Sequence, residues 1–317
     1  MPRSYSPART PKRAVVPACL RPVATQRFDA CGEGPYLPRD LMLRPLVALR
    51  GGDDGLVLAF RVDPRGVDVR VLARGACSPE ETERALAAAR GIAAIDDDPS
   101  VFLASLPSLA PDLAALAKKH DVRIARTPTI FESLALAILE QLVTTYEARA
   151  SWRRLCALAG ETVAGTDLRA PPTAARVRDV PMWKLHEIGV GAKRAVTLHL
   201  AARRGDAIER LHALAPEVAL EKLMSLKGIG PWTANLVVRN AFGYADAVPI
   251  GDLHAPRLVT EALTGAIDGD DASMVAALER FRPHRARVTM LVESMAMARR
   301  TGPLPRVDRH RRMPWKY

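Results

Sequence analysis

"LKGIGPWTANLVVRNAFGYADAVPIGDLH", Leu226–His254, decides the reading of this chain. Gly228, Ile229 and Gly230 offer little but backbone, and Pro231 follows where a helix can begin without an N–H of its own. Upstream, "APEVALEKLMSL" opens with Pro216, carries Glu217 and Glu221 and runs out before a glycine, so start and stop signals agree on a helix. Two helices joined by a tight glycine turn make a helix–hairpin–helix, with Ile229 pointing back between them. The turn amides and the N-terminus of the second helix then face outward, which suits one phosphate and reads no base sequence. A G-x-G between helices also serves as a plain connector. It is neither a P-loop nor a dinucleotide fingerprint, because G-x-x-x-x-G-K-[ST] is missing and the turn follows a helix.

Beyond the second helix stands Asp252, a single carboxylate where the next helix is expected to begin. As an N-cap it would satisfy backbone amides. As a fixed negative charge it would also stabilise a cation developing on a partner and activate a water. The residues alone leave both readings open.

The chain has 317 residues, 48% of them hydrophobic, enough for a sizeable core in one or two domains. Its formal net charge is +11, which favours an acidic polymer or surface as partner. The four cysteines, Cys19, Cys31, Cys77 and Cys156, form no C-x-x-C pair, so a disulfide scaffold, structural zinc or an iron–sulfur cluster is not expected. They read as reduced thiols of a cytosolic protein. No apolar run reaches the roughly 18 residues of a membrane span, so no membrane partner is expected.

Composition divides the chain into four parts. Residues 1–36 are rich in Arg, Ser and Pro with no acid before Asp29, which imitates a transit peptide. Prolines break every apolar run there, and a disordered basic arm is the preferred expectation. Residues 37–125 read as a small α+β layer: "LVLAFRV" and "VDVRVLARG" flank the turn signal "DPRG", and "SPEETERALAAARGI" opens with Ser78, Pro79 and Glu81 as a capped helix. Residues 126–300 read as all-helical, beginning with the long apolar-periodic segment "TPTIFESLALAILEQLVTTYEARASWRRLCALAG". Residues 301–317 form a basic tail. The fold class expected is mainly α.

At this point the residues resemble a family. The hairpin, the following helix and the "VPIGD" that ends at Asp252 are similar to the helix–hairpin–helix DNA glycosylase superfamily. "GIGPWTAN" is most similar to its 3-methyladenine DNA glycosylase II branch, as are "FESLALAILEQLVTTYEARA" and the second glycine turn, "LHEIGVGAKRAVTLHLA". The resemblance covers most of Phe131 to Pro283. It implies excision of alkylated purines from damaged double-stranded DNA in base excision repair, by hydrolysis of the N-glycosidic bond.

Asp252 would be catalytic. Lys227, Gly228, Ile229, Gly230, Thr233 and His254 would contact DNA phosphates, His254 being equally readable as a solvent-facing side chain. Leu142 would be the wedge that fills the gap left by an extruded base, with Gln141 beside it, unless Leu142 is one more core leucine. Trp232 and Leu236 would line the base pocket, although a tryptophan on an apolar face also reads as core. Bifunctional members carry a Schiff-base lysine where this chain has Trp232, so a water-using mechanism without lyase activity follows. The resemblance implies no metal or organic cofactor beyond room for a monovalent cation at the hairpin. It also implies a monomeric, cytoplasmic, nucleoid-associated protein. A non-catalytic DNA-binding module and a glycosylase for oxidised or deaminated bases are the alternatives.

Overall fold

The computed structural model describes residues 18–19, 21–28, 42–46, 56–63 and 66–298. Four strands, β1 (Arg21–Phe28), β2 (Met42–Leu46), β3 (Leu56–Asp63) and β4 (Gly66–Ala73), pair antiparallel in the order β1-β4-β3-β2. The expected hairpin is β3–β4, in register from Val57↔Leu72 to Asp63↔Gly66. Period-two alternation gives the sheet two apolar faces. Leu58, Phe60, Val69 and Val71 pack on α1 (Pro79–Ile92) through Ala85 and Ala89, while Val57, Ala59 and Leu72 pack on Val163 and Ala170. Ser78 and Glu81 form the capping box expected at the start of α1.

The arm drawn over residues 1–36 needs correction, because Arg21–Phe28 is a strand hydrogen-bonded along β4. Residues 1–17 of that arm, and the basic tail over 301–317, lie outside the described residues. The layer drawn over 37–125 also divides differently. Two helices not expected there, α2 (Ser100–Leu109) and α3 (Pro111–Ala117), bury Phe102, Leu106 and Leu113 against helices from the far end of the chain.

The helical part begins with α4 (Ile130–Glu140) and α5 (Thr145–Ala159), two helices where one long periodic segment was read. Then come α6 (Ala174–Arg178), α7 (Met182–Glu187), α8 (Ala192–Ala202) and α9 (Gly205–Glu209). Next are α10 (Pro216–Met224) and α11 (Pro231–Val237), which continues as a π-helical turn over Val238–Phe242. Last are α12 (Ala255–Thr264), α13 (Asp271–Leu278) and α14 (Arg285–Ala298). The larger core forms around α4, whose Ile130, Leu134, Ile138 and Leu139 are fully buried. A second core joins α2 and α3 to α12, α13 and α14.

Two acids anchor these helices from a distance. The carboxylate of Glu209 accepts the Ile130 and Phe131 amides at 3.0 and 2.8 Å, satisfying two donors at the start of α4 that have no helical partner. Asp97 accepts both terminal nitrogens of buried Arg287 at 2.6 and 2.7 Å, tying α14 to the segment after α1.

Leu134 sits mid-helix at the centre of the main core, so Leu134→Ala leaves a cavity and is expected to cost about 2–5 kcal/mol. Chemical denaturation checks this through a lowered midpoint at unchanged slope.

Candidate functional site

The glycine turn lies between α10 and α11. Gly228 has φ +86°, and a Cβ there would stand 2.3 Å from the Thr197 hydroxyl of α8, so glycine is required by both conformation and space. Ile229 is buried in the helical core, whereas Lys227, Gly228 and Gly230 are exposed. Gly230 has open space where a Cβ would point, and it precedes the free amides that begin α11. An outside group meets backbone here.

The α4–α5 elbow reaches the same place. Leu142 is fully exposed, at 102% of its reference area, and holds φ +54°, a conformation costing a side chain about 1–2 kcal/mol. Neighbours must hold such a residue in place. Gln141 does part of this: its side-chain amide donates to the Gly228 carbonyl at 3.0 Å and the Thr233 hydroxyl at 2.9 Å. On the other side, Thr144 and Glu147 form a capping box that starts α5. Leu142 is therefore no core leucine.

Asp252 lies just before α12. Its Oδ1 accepts the His254 and Ala255 amides at 2.8 and 2.9 Å, and its Oδ2 accepts the indole N–H of Trp232 at 2.8 Å. The capping role is real, but Oδ2 keeps one acceptor direction that these three bonds do not use. The loop is steadied nearby, where the Gly251 amide donates to Asp271 and the Val248 amide to Asn235.

Several expected site residues occupy different surroundings. Thr233 is buried, at 2% exposure, and its hydroxyl receives Gln141, so its side chain cannot lie on a phosphate. Leu236 is buried in the helical core rather than displayed in a pocket. Trp232 is half-buried against the same core with its N–H committed to Asp252. His254 is exposed, as is Leu253.

Three charged residues that interact with one another, one of them with Asp252, escaped the sequence reading. Burial pushes the carboxyl of Glu293, on α14, above the ordinary range; Arg239 opposes this, while Asp252 and Glu140 add to it. Burial also raises Glu140, at the end of α4, with Arg239 and Arg149 opposing. Glu140 adjoins Gln141, but nothing local marks Arg239 or Glu293, which come from other elements.

No family model matches the sequence. A probable bifunctional transcriptional activator/DNA repair enzyme AlkA from Mycobacterium tuberculosis is 29% identical over 208 residues, 65% of this chain and 41% of that protein. The match thus spans less than half of that relative's length. Over that stretch the chain is similar to AlkA. Its architecture is similar to a 3-methyladenine DNA glycosylase from Archaeoglobus fulgidus, with TM-score 0.69 and 22% identity over 84% of this chain and 96% of that one. It is also similar to the 8-oxoguanine glycosylase/lyase of Clostridium acetobutylicum in complex with double-stranded DNA, with TM-score 0.60 and 17% identity over 77% and 86% of the two chains. The chain therefore shares the fold of these DNA glycosylases. Among its described residues no helix is long and apolar enough to cross a membrane.

Glu293 provides a test of the electrostatics around Asp252. Its folded-state pKa is raised above the ordinary 4.5, so its stabilising contribution is present below that value and is lost as pH rises through the folded pKa. Glu293→Gln keeps the shape without the charge. Its melting temperature should exceed wild type at about pH 8, with the two converging toward about pH 4. A variant that melts lower at the higher pH would contradict this assignment.

Proposed function

We propose that the protein is a monofunctional DNA glycosylase that removes alkylated purines, of the 3-methyladenine type, from double-stranded DNA in base excision repair. The observation that carries this is the shared anchorage of two unlike groups. An exposed leucine in a left-handed conformation and an oriented carboxylate are both fastened to the first turn of α11. The first suits the gap left by an extruded base, and the second suits the sugar of that nucleotide. The curated AlkA relative, a DNA repair enzyme by name, supports the substrate class.

In this reading the exposed turn amides at Gly228 and Gly230, with Lys227, hold a phosphate of the strand. Leu142 enters the stack and offsets the unstacking cost. The C1′–N bond breaks with its electron pair leaving on the base, which the positive charge of an alkylated purine makes easier. Asp252 stabilises the oxocarbenium-like sugar. A water oxygen bonds to C1′, and its proton passes to Asp252 or to solvent. Trp232 has no amine to compete with that water, and its indole orients the carboxylate instead. The net charge of +11 supports partnership with DNA.

Asp252→Asn preserves size and an acceptor oxygen for the α12 amides, while the full charge is lost. Release of free base from alkylated duplex should fall by about 10²–10³, the scale of one lost electrostatic contact in a preorganised site. Duplex binding should persist, and borohydride should trap no covalent adduct with the wild type. Three results would count against the reading: near-wild-type excision by the variant, a trapped species, or no base released from any lesion in a panel of duplexes.

A further inference from the structure

We infer that Arg194, on α8, is the positioning residue of the Leu142 wedge, fixing the α4–α5 elbow in the shape that base extrusion requires. This rests on the glycosylase reading above. Arg194 Nη1 donates to the Leu139 carbonyl at 2.7 Å, and Nη2 donates to the Gly189 carbonyl at 3.2 Å. Leu139 lies in the last turn of α4, where carbonyls run out of helical partners. In a continuing helix that carbonyl would take the amide of residue 143, four positions on. Arg194 takes its place, so the chain is free to leave the helix at Gln141 and to put Leu142 at φ +54°.

The same guanidinium gathers two further segments. Burial holds the Arg194 guanidinium below its ordinary range, and Glu147, the acid that closes the capping box of α5, opposes this from nearby. Gly189 belongs to the glycine turn before α8; it has φ +89°, and a Cβ there would approach the Ser151 hydroxyl of α5 to 3.3 Å. The end of α4, the start of α5 and the turn before α8 thus converge on one planar fork, which a lysine could not reproduce at both carbonyls. Gln141 holds the elbow to the α10–α11 turn, and Arg194 holds it to the α7–α8 turn. Without Arg194, the nearest way to satisfy Leu139 O is one more turn of α4, which would draw Leu142 out of its exposed position.

The test compares Arg194→Met, Arg194→Lys, Leu142→Ala and the Arg194→Met/Leu142→Ala pair in single-turnover excision. Each acts on one alkylated lesion, in paired duplex and in single strand, and each melting temperature is recorded. Arg194→Met should lower the paired rate about tenfold more than the single-strand rate, the scale of a lost charged hydrogen bond. Arg194→Lys, which keeps one contact, should fall between it and the wild type. The double variant should be no slower on duplex than Leu142→Ala alone, because both remove the same wedge. Equal losses on the two substrates, or multiplying effects in the double variant, would make Arg194 merely structural and overturn the inference. Should Arg194→Met fail to fold, the paired-to-single-strand ratio of Arg194→Lys decides in the same way. A wild type that excises nothing would sink the glycosylase reading itself. In that case 2-aminopurine beside the lesion still reports whether Arg194→Lys loses the unstacking seen with wild type, and unstacking equal in both would overturn the inference.

Discussion

Two consecutive side chains in the first turn of α11 hold the candidate site together. Trp232 donates to Asp252, and Thr233 accepts from Gln141, the neighbour of Leu142. A helix turn fixes the angle between successive side chains, so the carboxylate and the leucine are set relative to each other by backbone geometry. The same turn begins at the exposed amides after Gly230, which brings a phosphate contact into the arrangement. Groups carried by three loops thus gain the rigidity of one buried helix, which is what a site demanding sub-ångström placement needs. On the proposed reading, gripping the strand, filling the stack and stabilising the sugar are one mechanical unit.

Charge works on two scales in this molecule. The chain as a whole is strongly basic, which draws in a polyanion. Near Asp252, burial raises Glu293 on α14 and disfavours its charged form, with Arg239 opposing and Asp252 and Glu140 adding to the shift. Of the two residues expected to line the pocket, Leu236 is buried in the core and Trp232 is engaged by its edge with Asp252.

What the sequence made legible was local. The glycine turn, Pro231, the capping box at Ser78 and the hairpin β3–β4 depend on residues a few positions apart, and each stands as read. The break at Gln141–Leu142 was hidden because "LEQLVTTYE" keeps apolar spacing through it; the break comes from Gln141 and Arg194, whose partners lie far along the chain. β1 was masked by its arginines and proline-rich surroundings, and only pairing with β4 makes "RPVATQRF" a strand. α2 and α3 are short and punctuated by Pro107 and Pro111, and packing on α14 sustains them. The burial of the Thr233 side chain was hidden for the same reason: burial is a property of neighbours, and Gln141 was not visible as one.

The most direct measurement separates the two contacts made by the first turn of α11. Trp232→Phe removes the indole N–H and keeps an aromatic ring, whereas Thr233→Val removes the hydroxyl and keeps the shape. Single-turnover release of alkylated purine is measured for both, from paired duplex and from single strand. Losing the bond to Asp252 should slow both substrates alike, by about tenfold or more for a hydrogen bond to a charged group. Losing the bond to Gln141 should slow the paired substrate selectively, since only there must the stack be opened. If the two variants behave alike, or if neither departs from wild type, the first turn of α11 does not organise this site.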